Sequence, residues 1–510
     1  MSGQDSSLKT LPETSRSSST GRPPPADLVV CLARALDNSE VSYCHWKSNE
    51  ALDRSEAALN DLDLLVDRRD ADAFRMILHQ VGFKRLNRSG QPRPPGKEDF
   101  VGYDEESERF VHVDAHYQLV IGHDRTKNHR LPIEGPYLAS ARHRGLLKVP
   151  SAEFEYVAFV IRMVLKYALW DEILWEALRR RALGLTETEQ RELVHLEASI
   201  DRDALSSIMD EHLPWLDRRV FDASVAVARG EVSLAQRLST GRSLRAALSA
   251  FARRGAVADG SLRVWRRLVL GVQKRTNRAP RFRLPGGGML VGIMGGDGSG
   301  KSTAVGEIGR WLETEFDVRR IHLGKPPWSM TTYGVRGTLK VATVLGSKLS
   351  RGSTRGSSSV DPDTGYRSML WLVCAARDRY RCYRRARRFV NRGGLVLSDR
   401  YPHRGLTSMD VAQIARLKKG AETNAIAATL MQLEGRYHER IALPELLVLL
   451  QVDPETAARR KTDEPPDYVR RRVAELRDVD WESMSVRVID ARQPKDAVAS
   501  ELKSLIWTSL

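Results

Sequence analysis

The stretch from Met289 to Thr303, MLVGIMGGDGSGKST, constrains this chain more than any other. An apolar run breaks into glycines and ends in a lysine followed by two hydroxyl residues. Met289 to Met294 suits a strand buried on both faces. Gly295, Gly296, Asp297, Gly298, Ser299, Gly300, Lys301 and Ser302 then fit G-x-x-x-x-G-K-[ST], a loop whose backbone N–H groups turn inward around a polyphosphate. The glycines are required because side chains would block that approach. On this reading Lys301 reaches the β and γ phosphates and Ser302 offers its hydroxyl to Mg²⁺. The helix opening through Thr303 aims its positive end at the anion. Ala304, Val305, Ile308, Trp311, Leu312 and Phe316 recur at helical spacing, so strand, loop and amphipathic helix follow in the order that binding of ATP with Mg²⁺ requires.

Downstream the pattern alternates between strand and helix. Strands are predicted over Val318 to Leu323, Leu395 to Ser398, Leu446 to Val452 and Val486 to Ile489. Helices are predicted over Tyr366 to Asn391, up to Glu439, and over Pro494 to Trp507, with a polar Gly- and Ser-rich region from Arg351 to Gly365. That order implies an α/β fold with a parallel sheet, helices on both faces, and a ligand at the C-terminal ends of the strands.

Four features together, GGDGSGKST, a helix and strand leading into Asp399-Arg400-Tyr401, the strand LLVLLQVDPETAARRK, and the closing RVIDA strand and helix, resemble the thymidylate kinase family of P-loop nucleoside monophosphate kinases. The resemblance implies that Lys301 is the phosphate lysine and that Ser302 is a Mg²⁺ ligand. It also implies that Asp297 faces the acceptor sugar, that Asp399 organises Mg²⁺ or the transferring group, and that Arg400 clamps the acceptor phosphate. The run RRKTDEPPDYVRRR lies where the family's mobile lid belongs, with Arg459, Arg460, Lys461 and Arg470 as candidates for the transition-state cation. Arg377 and Arg379 lie in the helix that lines the family's base pocket. The segment His322-Leu323-Gly324-Lys325-Pro326-Pro327-Trp328 replaces the family's R-E-P. Pro402-His403-Arg404-Gly405-Leu406 lacks its serine and Y-Q pair. The acceptor is therefore open between dTMP, another nucleoside monophosphate, and a related phosphate or sugar compound. Homodimers are common in that family, although no residue read here indicates one.

Nearer the N-terminus, Asp61-Leu62-Asp63-Leu64-Leu65-Val66 reads as a strand in which Asp61 and Asp63 project together while Leu62 and Leu64 enter the core. Paired carboxylates of this kind can hold Mg²⁺ for phosphoryl or nucleotidyl chemistry. A second strand, Phe110 to Tyr117, puts His112, Asp114 and His116 on one face. These motifs resemble the nucleotidyltransferase superfamily, and the resemblance implies Asp114 as a third metal carboxylate. Lys47-Ser48-Asn49 stands where that superfamily carries Gly-Ser. The rival readings are acidic residues on an exposed sheet edge, and a nucleotide-responsive binding module without turnover.

With 510 residues the chain is long enough for about three domains. The expected divisions are a disordered tail over 1–26, a nucleotidyltransferase-like α+β domain over 27–150, a helical region over 151–279, a Pro/Gly linker over 280–288 and the P-loop domain over 289–510. The net charge of +16 favours anionic partners. Residues 242–283, with Arg253, Arg254, Arg263, Arg266, Arg267, Lys274, Arg275 and Arg278, could meet nucleic acid or an anionic membrane surface. The plainer reading is a solvated face or linker. Four cysteines without C-x-x-C spacing, and no apolar run approaching the roughly 20 residues of a membrane span, predict a cytoplasmic protein.

Overall fold

The computed structural model describes residues 23–88, 94, 96–178, 184–275, 281–324, 326–335, 337–338, 362–402, 425–462, 464–477 and 479–510. The expected tail up to residue 22, the Gly/Ser-rich stretch 351–361, residues 403–406 after Tyr401, and Arg278 lie outside the described residues.

The architecture is mixed α/β. Its first sheet contains β1 (Tyr43–His45), β2 (Leu62–Val66), β3 (Lys84–Arg88), β4 (Lys97–Asp104) and β5 (Arg109–His116). Two short ribbons follow, β6 (Val120–Ile121) with β7 (His129–Arg130), and β8 (Arg142–Arg144) with β9 (Leu147–Val149). A final edge strand, β10 (Phe282–Arg283), completes the sheet in the order β1-β2-β5-β4-β3-β10. Only β2 and β5 pair in parallel. Alternation decides the faces: Leu62, Leu64, Val111, Val113 and Ala115 are buried with the helices Asp27–Asp37 and Ala71–Val81. The opposite face carries Asp63, Asp114 and His116, and is closed by the helical region.

That closure follows from one helix. Ala152–Tyr167, AEFEYVAFVIRMVLKY, is apolar almost all round and can be satisfied only by burial. The helices Glu187–Ser199, Arg202–His212, Arg218–Arg229 and Leu234–Ala247 pack with it into one core that includes Cys44, Trp46 and Leu65 from the first sheet.

The second sheet is parallel throughout, with β11 (Leu290–Gly295) at its centre. Its other strands are β12 (Val318–His322), β13 (Leu395–Asp399), β14 (Leu446–Gln451) and β15 (Arg487–Asp490), in the order β12-β13-β11-β14-β15. Val291 and Ile293 pack with the helices Lys301–Leu312 and Lys495–Ser509. Leu290 and Met294 pack on the other face, with Tyr383, Phe389 and Val390 of the helix Pro362–Val390. The chain leaves β11 toward one side of the sheet and returns to its other side, so the end of β11 is a topological switch point.

Within the stretch read as a linker, Phe282 and Arg283 form a bonded strand. While β10 pairs with β3, the Phe282 amide donates to the Glu315 carbonyl at 2.9 Å and its own carbonyl accepts from the Asp317 amide at 2.9 Å. Gly288 lies so close to Gly394 that a Cβ there would meet the Gly394 carbonyl oxygen at 1.8 Å. Aromatic rings fill the joint between the two sheets. Phe110 stacks on Trp311 with centroids 5.1 Å apart, Tyr103 meets Trp311 at 4.9 Å, and Trp507 lies 5.7 Å from Phe110. Among the described residues no helix is long and apolar enough to cross a membrane.

Because Trp507 is buried in this joint, Trp507→Ala is expected to cost about 3–5 kcal/mol in denaturant unfolding followed by circular dichroism. A loss under about 1 kcal/mol would show that the joint does not hold the two sheets together.

Candidate functional site

At the end of β11 the chain turns through Gly296–Gly300 into the helix Lys301–Leu312. Gly298 has φ 82°, and a Cβ there would sit 2.5 Å from the Ala457 carbonyl oxygen of the helix Pro454–Arg460. Both the backbone and the packing therefore demand glycine. Lys301 is buried, and its Nζ donates to the Gly296 carbonyl at 2.5 Å. Burial pushes this amine down to about 8; Asp297 and Asp399 oppose the drop, while Arg400 and Arg472 add to it.

Two further groups converge on the loop. Ser302 Oγ donates to Asp399 Oδ2 at 3.0 Å, whereas Asp399 Oδ1 is buried with no hydrogen-bond partner. A hydroxyl beside an orphaned carboxylate oxygen is a donor set that suits a hard divalent cation, so these residues fit Mg²⁺. Arg400 occupies a left-handed backbone, φ 56°, where a side chain is strained. Its Nη2 donates to Asp297 Oδ1 at 2.9 Å, and Arg472 Nη1 lies 2.9 Å from Asp297 Oδ2. Asp297 is thus buried between two guanidinium groups, and both of its oxygens face Arg partners and not open space.

The arginines predicted at the lid sort differently from the expectation. Arg459 is exposed and bonds Thr456 Oγ1 at 3.1 Å, Arg460 donates to the Ala491 carbonyl at 2.9 Å, and Arg470 pairs with Glu455 and Asp467 at 3.0 Å each. None of these contacts is with the loop. Arg472 reaches it instead, because Val469, Arg472, Val473 and Leu476 share one side of the helix Pro466–Arg477. That side covers the loop, and a Cβ on Gly296 would meet Val473 Cγ2 at 2.6 Å. The spacing V-x-x-R-V-x-x-L carried this signal in the sequence.

Arg379 is buried and donates to the Leu323 carbonyl at 2.8 Å, while Arg377 donates to Ser329 Oγ at 3.0 Å. Between them Asp378 Oδ2 accepts from the Ser329 amide at 2.8 Å, so this helix pins the segment that follows β12.

The N-terminal acids form a different trio from the one expected. Ligand atoms of Asp63, Asp114 and His116 lie within 4.8 Å of one another. Asp61, just ahead of β2, is not one of these three, yet partial burial and the nearby Asp114 and Asp63 raise its carboxyl, so it borders the row. His116, on the same face of β5 as Asp114, takes its place. His112 is drawn away to Glu315, 3.2 Å distant. The register also sets Asp99 of β4 opposite Asp114. Lysines neutralise this row: Lys47 lies 2.8 Å from Asp63, and Lys97 lies 2.5 Å from Asp114 and 3.2 Å from Asp99. Burial alone would raise Asp63, but Lys47 and His116 outweigh it and hold the carboxylate well below the usual range. Ser48 adopts a left-handed backbone with φ 58°. Its amide and that of Asn49 donate to Glu192 and Glu155 of the helical region, at 3.1 Å each.

Fold and loop together define the class: a parallel α/β sheet with a glycine-rich lysine loop at its switch point. The chain is similar to the uncharacterized ATP-binding protein YghR of Escherichia coli strain K12, 26% identical over 246 residues, which are 46% of this chain and 92% of that protein. It is also similar to the uncharacterized ATP-binding protein YghS of the same strain, 25% identical over 217 residues, 41% of this chain and 88% of that protein. No family model matches the chain.

Lys301 supplies a pH signature. The unfolded chain keeps this proton up to about pH 10.5 and the folded chain releases it near 8, so between those values the unfolded state binds more protons and stability rises with pH. Thermal unfolding should show the native chain gaining about 1–3 kcal/mol relative to Lys301→Met across this window. Parallel profiles for the two proteins would contradict the buried, charged amine.

Proposed function

We propose that this chain is an ATP-dependent phosphotransferase of the thymidylate kinase type, acting at the loop Gly295–Thr303 on a nucleoside monophosphate such as dTMP, or on a related phosphate or sugar compound. One observation carries the proposal: Lys301, the Ser302–Asp399 pair, and the two arginines on Asp297 meet at the C-terminal end of β11. The names of the two relatives, both ATP-binding proteins, support ATP as the donor.

Phosphoryl transfer needs positioned cations around the equatorial oxygens more than it needs a covalent catalyst. Lys301 supplies one such cation. A donor phosphate would replace the Gly296 carbonyl as its partner, and the loop amides would bind the remaining oxygens. Ser302 and Asp399 would hold Mg²⁺, which when bound neutralises charge on the phosphate oxygens. Arg400 and Arg472 come from different elements and meet on Asp297, so the lid helix is latched to the loop through a carboxylate. Exchange of that carboxylate for an acceptor phosphate would bring both guanidinium groups to the transferring group. In this account residues 289–510 are the kinase unit, and residues 27–150 and 151–279 form a second unit with its own site.

A second reading, metal-dependent nucleotidyl transfer by the N-terminal unit, is favoured by the Asp63–Asp114–His116 cluster. It predicts pyrophosphate release from a labelled nucleoside triphosphate, and loses its support if an Asp63→Ala, Asp114→Ala double variant releases pyrophosphate at the native rate.

The test of the first reading is ADP formation with Mg·ATP against nucleoside monophosphates, sugars and sugar phosphates. Lys301→Ala should lower turnover at least about 100-fold. Arg472→Ala should lower kcat by about 10- to 100-fold, with ATP affinity changed less than about threefold. Unchanged turnover in Lys301→Ala would remove the proposal.

A further inference from the structure

Beside the acidic row, and lined by its Asp99, Asp114 and His116, is a cavity of about 850 Å³, large enough for a nucleotide-sized molecule. Its walls come from both the first sheet and the helical region. Lys127, Arg162, Lys166, Arg253, Arg254 and Arg266 all line it. The last three belong to the basic stretch whose plainer sequence reading was a solvated face, and here they form one side of a concave surface.

Some of these cations are balanced by acids: Arg162 lies 3.2 Å from Glu192 and Lys166 lies 2.8 Å from Glu189. Asp63, Asp99 and Asp114 are already paired with Lys47 and Lys97. Asp124 serves Lys127 at 3.0 Å and Lys166 at 3.5 Å, and Glu172 serves His123 and Arg125. Among the described residues, Arg253, Arg254 and Arg266 have no carboxylate within ion-pair distance. Arg253 and Arg266 are instead tethered through the backbone carbonyls of Lys127 and Arg125. Such close cations repel one another unless an anion separates them.

Two further observations point to a ligand. Buried donors around the cavity lack hydrogen-bond partners: Thr126 Oγ1, Arg125 Nε, Arg162 Nε and Arg254 Nη1. Thr126 is only 3% exposed, and an orphaned hydroxyl so deeply buried is costly without a partner. In addition, Lys127 is held in a left-handed backbone, φ 45°, a strained conformation of the kind retained at binding sites.

We propose that this cavity is a second ligand site, independent of the lysine loop, that binds a phosphorylated small molecule through Lys127, Arg253, Arg254 and Arg266. The ligand class is a phosphate ester, either a nucleotide or a sugar phosphate. The site assigns a binding role to the helix Ala256–Arg275. It does not depend on metal at the acidic row, where lysines already occupy the carboxylates.

The test uses full-length Lys301→Ala, so that the lysine loop does not contribute, with inorganic pyrophosphate as the calorimetric probe. One pyrophosphate per chain is expected, with affinity falling as salt rises. Adding Lys127→Asn, which tolerates the left-handed backbone, or Arg254→Ala should weaken binding at least about tenfold. Unchanged circular dichroism and thermal midpoints would exclude unfolding, and Arg254→Lys should restore part of the affinity. Displacement by ATP would assign a nucleotide, and displacement by glucose 1-phosphate a sugar phosphate. Absence of pyrophosphate binding in Lys301→Ala, unchanged affinity in both added variants, or displacement by neither competitor would overturn the proposal.

Discussion

A buried ammonium group needs an oxygen partner, and the C-terminal half of the structure is arranged around that need at Lys301. Burial lowers its amine to about 8, so that it is still an ammonium at neutral pH, and the loop's own Gly296 carbonyl is the group it holds. A carbonyl satisfies one of the three donors of a lysine. A phosphate would satisfy more of them, and would add the negative charge that desolvation makes valuable. The same logic extends outward. Asp399 keeps one buried oxygen without a partner beside Ser302, and Asp297 holds two arginines from different elements. The buried amine and the orphaned Asp399 oxygen cost stability in the unliganded fold and become favourable around a polyphosphate with its metal.

The second constraint is the joint between the sheets. A short edge strand, β10, belongs to the first sheet by pairing with β3 and is bonded to the second through Glu315 and Asp317. Trp311 at the end of the loop helix stacks on Phe110 of β5, the strand that also carries Asp114 and His116. The helix that begins at Lys301 therefore rests on the sheet that floors the N-terminal cavity. Both sites are built on rigid elements that share one hydrophobic core.

Much of this was legible in the sequence, and the parts that were not have physical reasons. The strand, loop and helix around Lys301 could be read because glycine, lysine and hydroxyl residues have few other reasons to occur in that order. The parallel strands could be read because burial on both faces leaves nearly continuous apolar runs such as Leu446–Leu450. By contrast, β3 and β4 were hidden, since KRLNR and KEDFVGYD carry more charged than apolar residues. Alternation put Asp61 beside Asp63, whereas the part of His116 depended on the parallel pairing of β2 with β5, which brings its ring to Asp63 and Asp114. The choice of Arg472 over Arg459, Arg460 and Arg470 depended on which side of a helix meets the loop. The N-terminal cavity could not be seen at all, because Lys127, Arg162 and Arg254 meet only through tertiary packing.

The most direct test of the account is equilibrium binding of ATP to the full-length chain by calorimetry, with Mg²⁺ present and with it chelated. The account predicts one ATP per chain that is lost in Lys301→Ala and weakened when the metal is removed or when Asp399 is replaced by Asn. ATP binding of equal strength in the native chain and in Lys301→Ala would mean that the buried lysine is a structural group, and that the loop does not bind polyphosphate.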